Sequence, residues 1–146
     1  MYNFYASIHA LPDAVVATSS PLQINSLTLS PLQVETEHLA CPMSVSFEQA
    51  EESLAQLPNL FIEPDGSFVW VAAPDAEHRW QVDGVLYDRG DKMLYVEIKG
   101  SCPQPEFDQM LNTLGWPDSR LMFQATQHAV YLSEQDFRAL CLVAAD

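Results

Sequence analysis

The chain has 146 residues, 48% of them hydrophobic, which is enough apolar content for a single domain (1–146) with its own core. Twenty acidic residues against six Lys and Arg residues give a net charge of −14, which disfavours a nucleic-acid partner because basic residues supply most of the affinity for phosphates. No run of 18 apolar residues predicts a membrane span, and no basic N-terminal region predicts a signal peptide, so we expect a cytoplasmic protein without a membrane partner.

Residues 1–45 are rich in Ser, Pro, Thr and Leu and contain a short internal repeat. The segment 20–24 (Ser-Pro-Leu-Gln-Ile) is echoed at 30–34 (Ser-Pro-Leu-Gln-Val), and leucines alternate with polar residues between the two copies. Proline within a sheet is confined to edges and bulges. We therefore predict an N-terminal β-rich extension of short edge strands. The alternative is an irregular arm that wraps the domain or a second subunit.

Residues 46–146 show helix and strand patterns in alternation and are predicted to form the α/β core. Ser46 and Gln49 form a capping-box pattern, after which apolar residues recur at helical spacing. Strands are predicted where short runs of β-branched and aromatic residues lie between turn signals. In chain order, the predicted elements are a helix over 47–57, strands over 60–62, 68–72, 80–88 and 93–100, a helix from Pro105, strands over 121–125 and 130–132, and a helix capped by Ser133.

Three charged residues, Asp83, Glu97 and Lys99, lie in the two longest predicted strands, which are otherwise apolar. Because side chains alternate along a strand, the aliphatic residues share one face and the three charges share the other, beside Tyr87 and Tyr95. Burying a charged side chain without a partner is costly, so we expect these three residues to be paired or to bind a metal ion.

The charged residues allow two interpretations. Pairing Asp83 opposite Glu97 leaves a three-residue loop over 89–91, in which Gly90 can adopt a left-handed conformation. Two facing carboxylates repel each other, and a divalent cation between them relieves the repulsion; Mg²⁺ is typically held by one or two carboxylates. In the alternative, Glu97 and Lys99 form an ordinary solvated pair on a strand.

The order of predicted elements, with Val82-Asp83 on one strand and Glu97-Ile98-Lys99 on the next, resembles the PD-(D/E)xK nuclease superfamily. The resemblance covers residues 46–132 and implies the restriction-endonuclease-like αβββαβ core, a mixed sheet flanked by helices in an α/β (α+β) fold. It implies Asp83 and Glu97 as ligands of Mg²⁺ or Mn²⁺ and Lys99 as the catalytic lysine. Many members have proline where this chain has Val82.

Members of this superfamily often add an acidic residue from the first helix, and some add a glutamine from the helix after the Glu-x-Lys strand. Glu51 matches the first of these positions and Gln109 the second. The resemblance thus implies Glu51 as a further metal ligand. For both residues the structural alternative is a solvated polar side chain on a helix surface.

Three functions follow from these observations. The first is a Mg²⁺-dependent phosphodiester hydrolase of the nuclease type, in which Asp83 and Glu97 hold the metal, Lys99 positions the attacking water and Glu51 assists. The second is a non-catalytic acidic interaction module on the same or a similar fold, acting as a homodimer or with a protein partner. The third is a small-molecule-binding α+β domain with an aromatic cleft.

The cysteines, histidines and aromatic residues give no further functional motif. The three cysteines are widely spaced without a Cys-x-x-Cys pair, so we expect reduced and buried thiols. The four histidines lack zinc-ligand spacing. The three tryptophans are expected in the core or an interface, whereas Tyr87 and Tyr95 fit either a stacking surface or a core.

Overall fold

A nine-stranded antiparallel sheet forms the centre of this computed structural model, which describes residues 1–143. Its strand order is β2-β5-β11-β10-β1-β9-β8-β7-β6, and β3 with β4 forms a separate hairpin. In chain order the strands are β1 (Tyr2–Ala10), β2 (Val16–Ala17), β3 (Leu22–Ile24), β4 (Leu27–Leu29), β5 (Leu32–Gln33), β6 (Leu60–Ile62), β7 (Ser67–Val71), β8 (Gln81–Arg89), β9 (Lys92–Cys102), β10 (Leu121–Ala125) and β11 (Val130–Ser133).

The N-terminal strand β1 lies at the centre of this sheet, between β9 and β10. Its residue Tyr5 pairs with Lys99 on one side, and Ala6 pairs with Ala125 on the other. The prediction of an extension or edge strands over residues 1–45 is therefore wrong for β1, although β2 and β5 do form one edge. Every strand pairing of this sheet within the described residues is antiparallel, including both pairings of β1. The predicted mixed sheet is therefore not observed.

Three helices accompany the sheet, as the sequence predicts: α1 (Phe47–Ala55), α2 (Gln104–Asn112) and α3 (Glu134–Val143), with a 3-10 helix over Thr36–Ala40. The capping box of α1 is confirmed, because the Ser46 side chain accepts from the Gln49 amide and the Gln49 side chain accepts from the Ser46 amide. Ser133 Oγ accepts from the Asp136 amide at 3.2 Å, which confirms the predicted cap of α3. No helix within residues 1–143 is long and apolar enough to cross a membrane.

One face of the sheet packs against the helices, and we call it the covered face. Alternate residues of β1 are buried there, from Tyr2 to Ile8, and the Phe107 ring of α2 lies 5.2 Å from the Tyr2 ring. Phe137 of α3 stacks on Phe123 of β10 with ring centroids 4.5 Å apart. All three helices contribute to this one hydrophobic core. The contributions of α1 include Ala50 and Leu54, which are buried.

The opposite side of β1, β7, β8 and β9 is not covered by any helix within the described chain, and we call it the open face. By strand alternation and register its side chains are Asn3, Tyr5, Ser7, His9, Ser67, Val69, Val71, Gln81, Asp83, Val85, Tyr87, Tyr95, Glu97, Lys99 and Ser101. Most of the candidate site residues therefore lie on the side of the sheet away from the helices.

Two glycines of the covered face allow β8 to pack closely against its neighbours. Gly84 lies on the covered face under the ring of Phe68, and a Cβ at this position would collide with that ring. Gly100 has a φ of +135°, a region that other residues rarely adopt, and a Cβ there would collide with the carbonyl oxygen of Gln81. Both glycines therefore let β8 lie close to its neighbours.

Candidate functional site

The β8–β9 hairpin brings the predicted residues Asp83, Glu97 and Lys99 to the open face, as strand alternation predicts. The pairing differs from the expectation, because Asp83 faces Lys99 and Glu97 faces Val85. Asp83 and Glu97 are thus diagonal neighbours, a relationship in which residues are typically about 7–8 Å apart.

The shifted pairing follows from the end of the hairpin. The outermost pair is Arg89 with Lys92, which leaves a two-residue turn instead of the predicted three-residue loop. An irregularity between Tyr87 and Asp88 then shifts the register along the rest of the ladder. The face occupied by each side chain was predictable from alternation, whereas this bulge was not.

Two of the three charged side chains have a local partner other than an ion. Asp83 Oδ1 accepts a hydrogen bond from Gln81 Nε2 at 3.1 Å. Lys99 Nζ lies 5.0 Å from the centre of the Tyr5 ring on β1, on the side of β9 away from Asp83. Both ion pairs found among residues 1–143 belong to Arg138, so Lys99 forms none with the described chain.

The remaining predicted residues lie on the other side of the sheet. Glu51 is on α1 and Gln109 is on α2, and both helices pack on the covered face. The sheet therefore lies between Glu51 and the carboxylates of Asp83 and Glu97. The structure does not bring the three predicted metal ligands together.

The residues present do not fit the Mg²⁺ or Mn²⁺ site that the resemblance implies. Across residues 1–143, no group of three or more His, Cys, Asp or Glu side chains is arranged to hold a metal ion. Asp83 and Glu97 are diagonal rather than facing, so their carboxylates are farther apart than in the predicted arrangement.

A row of four aromatic rings crosses the sheet on the side of the open face. Tyr87 stacks on Tyr95 with centroids 4.5 Å apart, and Tyr95 stacks on His9 at 5.2 Å; both pairs are tilted by 18°. His9 meets Tyr131 of β11 edge to face at 5.6 Å. We call these four residues the aromatic row. Its outer member Tyr87 is 37% exposed, so one ring of the row is open to solvent.

The inner part of the aromatic row is held by hydrogen bonds. Ser7 Oγ donates to Gln124 Oε1 at 3.2 Å and lies 2.8 Å from His9 Nε2. Burial lowers the pKa of His9 to about 4, so the ring is neutral near pH 7.

Two tyrosines of the row stay uncharged as well. Burial raises the pKa of Tyr95, and the neighbouring Tyr87 and Glu97 raise it further. Burial also raises the pKa of Tyr131. The aromatic row is therefore a stacking surface beside two carboxylates, and its His9, Tyr95 and Tyr131 rings are neutral. The sequence singled out Tyr87 and Tyr95 but missed His9 and Tyr131; alternation along residues 2–10 would have placed His9 on the open face.

One cleft lies away from the open face, near the start of α3. It has a volume of about 500 Å³ and is lined by Trp116, Arg120 and the start of α3. Arg138, which lines this cleft, forms ion pairs with Asp108 at 2.8 Å and Glu134 at 2.9 Å. Trp116 Nε1 also donates to Glu134 at 2.6 Å. This network joins α2 to α3 and gives little support to a ligand site.

Comparisons of the chain with protein-family models, curated protein sequences and solved structures found no match. The membership of the nuclease superfamily therefore stays a prediction from the motif. The features that bear on function are the fold, the net charge of −14 and the open face.

Proposed function

We propose that the protein is an interaction module whose open face binds a basic protein or peptide. The observation that carries this proposal is the aromatic row beside Asp83 and Glu97 on a sheet face that the described helices leave uncovered. The face of a tyrosine ring attracts Lys and Arg side chains. Carboxylates next to the ring accept charge-assisted hydrogen bonds from a guanidinium group. Together these groups suit an arginine-rich segment.

The net charge of −14 supports the same class of partner. A strongly negative protein attracts cationic partners over distances of about a Debye length and repels polyanions such as nucleic acids. A second copy of the chain carries the same charge and is repelled as well. Among the partners that the sequence leaves open, a basic polypeptide is the one that the charge favours.

A binding assay tests the proposal with a fluorescein-labelled peptide of alternating Arg and Gly. We expect fluorescence anisotropy to show saturable binding that weakens as the salt concentration rises. A peptide of alternating Glu and Gly and a labelled DNA duplex should not bind.

Two double variants with the same net charge separate a site from general attraction. The D83N/E97Q variant removes the carboxylates of the open face, and E48Q/E52Q removes two exposed carboxylates of α1 on the covered side. We expect about tenfold weaker binding for the first and little change for the second, since tenfold corresponds to about 1.4 kcal/mol. If both variants weaken peptide binding equally, the peptide is attracted by the net charge of the protein and has no defined site on the open face.

A second pair of variants tests the aromatic contact. Replacing Tyr87 by alanine removes the exposed ring of the aromatic row, and an exposed cation–π contact is worth about 0.5–1 kcal/mol, so we expect two- to fivefold weaker binding. The control is L142A, which removes an exposed apolar side chain of α3. Unchanged affinity in Y87A would rule out the row as the contact surface.

Two functions stay predictions of the sequence. The nuclease-like hydrolase is supported by Asp83, Glu97 and Lys99 sharing one face, while the position of Glu51 and the net charge argue against it. The small-molecule-binding domain is supported by the cleft of about 500 Å³ beside Trp116, but Arg138 in that cleft is already paired with Asp108 and Glu134.

A further inference from the structure

We infer that a pocket beside Lys99 binds a small monocarboxylate. The pocket has a volume of about 370 Å³ and lies at one end of the open face, where β1 and β9 meet the turn between β10 and β11. Its lining residues are Asn3, Phe4, Tyr5, Lys99, Gly100, Ser101 and Gln127. This inference is independent of the proposed basic partner, because the pocket takes a ligand of opposite charge.

Lys99 is the only charged side chain that lines this pocket, and no carboxylate lines it. Although Asp83 faces Lys99 across the ladder, no ion pair links them. The ammonium group lies over the Tyr5 ring instead, with Nζ 5.0 Å from the ring centre. In a chain with 20 acidic residues and six Lys and Arg residues, a lysine with no carboxylate partner in the described residues is free to bind an anion.

Residues with hydrogen-bond donors line the pocket together with Lys99. Asn3 faces Ser101 and Tyr5 faces Lys99 across the β1–β9 ladder, so an amide, two hydroxyl-bearing side chains and the ammonium belong to neighbouring positions of the pocket wall. Gln127 adds a second amide from the β10–β11 turn. A carboxylate presents two oxygens that accept from such donors together, and these charge-assisted bonds are the strong ones.

The shape of the pocket and the charge of the protein restrict the ligand further. The Tyr5 ring gives the pocket an apolar wall. The volume lies within the range of small-ligand pockets. A phosphate dianion would be repelled by Asp83 on the neighbouring strand and by the net charge more strongly than a monoanion. The fitting ligand is therefore a monocarboxylate of about the size of benzoate.

An NMR titration with sodium benzoate at constant ionic strength tests this inference on the full chain. We expect saturable shifts of the backbone amides of Asn3, Tyr5, Ser101 and Gln127. The K99M variant should weaken binding by about tenfold or more, because it removes the charge-assisted bond. The K92M variant, at the exposed tip of the hairpin, makes the same change in net charge and should bind as the unmodified chain does.

Four outcomes would overturn the inference. Binding of benzamide as tight as that of benzoate would show that the carboxylate is irrelevant, and binding of phosphate tighter than that of benzoate would show that the site prefers dianions. Loss of binding in K92M equal to that in K99M would indicate a general charge effect, and the absence of saturable shifts would exclude the site. If K99M does not give the spectrum of a folded protein, K99Q replaces it. The Arg-Gly peptide assay uses a cation, so its failure would leave this result unaffected.

Discussion

Asp83 faces Lys99 across the β8–β9 ladder, and this pairing determines how the three charges of the hairpin interact. The two side chains form no ion pair within the described residues, because the Lys99 ammonium lies over the Tyr5 ring on the other side of β9. Glu97 faces Val85 and is only diagonal to Asp83, so the two carboxylates do not need a divalent cation between them. Asp83, Glu97 and Lys99 therefore share one face of the sheet without the directly facing carboxylates that the metal-site prediction assumed.

Divalent cations are expected to leave the stability of the protein unchanged. A ligand present at 100 times its Kd stabilises the folded state by about 2.7 kcal/mol, so binding of Mn²⁺ would raise the Tm measurably. We expect no such rise in a thermal denaturation series with MnCl₂, with EDTA as the reference. A rise that D83N and E97Q abolish would instead support the hydrolase.

The buried His9 should make stability depend on pH between about 4 and 6.5. Its pKa falls from 6.5 to about 4 in the folded state because of burial, so within this window the unfolded chain binds the proton and the folded chain does not. Stability therefore rises with pH across the window, by about 3 kcal/mol in total at 1.36 kcal/mol per pKa unit.

Chemical denaturation at several pH values measures this dependence. The H9Q variant should show a shallower slope than the unmodified chain between pH 4 and 6.5. The control is H128Q, which changes an exposed histidine of the β10–β11 turn. Parallel slopes for H9Q and the unmodified chain would contradict the assignment to His9.

Replacing Arg138 should destabilise the fold. Its guanidinium forms ion pairs with Asp108 and Glu134 and lies against the rings of Tyr2, Phe107 and Trp116. The R138M variant leaves two half-buried carboxylates without their cation, which we expect to cost about 3 kcal/mol in urea denaturation. The exposed Arg120 provides the control, since R120M should change stability by less than about 0.5 kcal/mol.

A side chain at position 84 should be destabilising because the ring of Phe68 occupies the space. We expect G84A to lower the free energy of unfolding by about 1–3 kcal/mol, the usual cost of overpacking a core. The matched variant is G90N in the hairpin turn, where nothing lies near and asparagine tolerates the φ of +64°. A G84A protein as stable as G90N would mean that Phe68 moves aside freely.

The sequence predicted the elements of residues 46–143 well, because their signals are local. The capping box at Ser46 and Gln49 and the alternation around Asp83 depend on neighbours within a few residues. The pairing partner of Asp83 was not predictable from the sequence, because it depends on a bulge near Tyr87. A bulge changes the register without any strong mark in composition.

The position of β1 was also missed, although its pattern is visible in the sequence. Tyr2, Phe4, Ala6 and Ile8 alternate with more polar residues, which is typical of a strand with one buried face. The prolines of residues 12–42 favour a position at the edge of the sheet, because proline is confined to edges and bulges. No local signal says which strands β1 pairs with, since those partners lie far along the chain.

The central place of β1 also bears on how the chain folds. Tyr2 pairs with Cys102 and Ala6 with Ala125, so the middle of the sheet joins the first residues to some of the last. Contacts between such distant segments slow folding, because a long loop must close before they form. A nascent chain on the ribosome would therefore hold its first strand unpaired until β9 and β10 have emerged, and deleting residues 1–10 would divide the sheet into two halves.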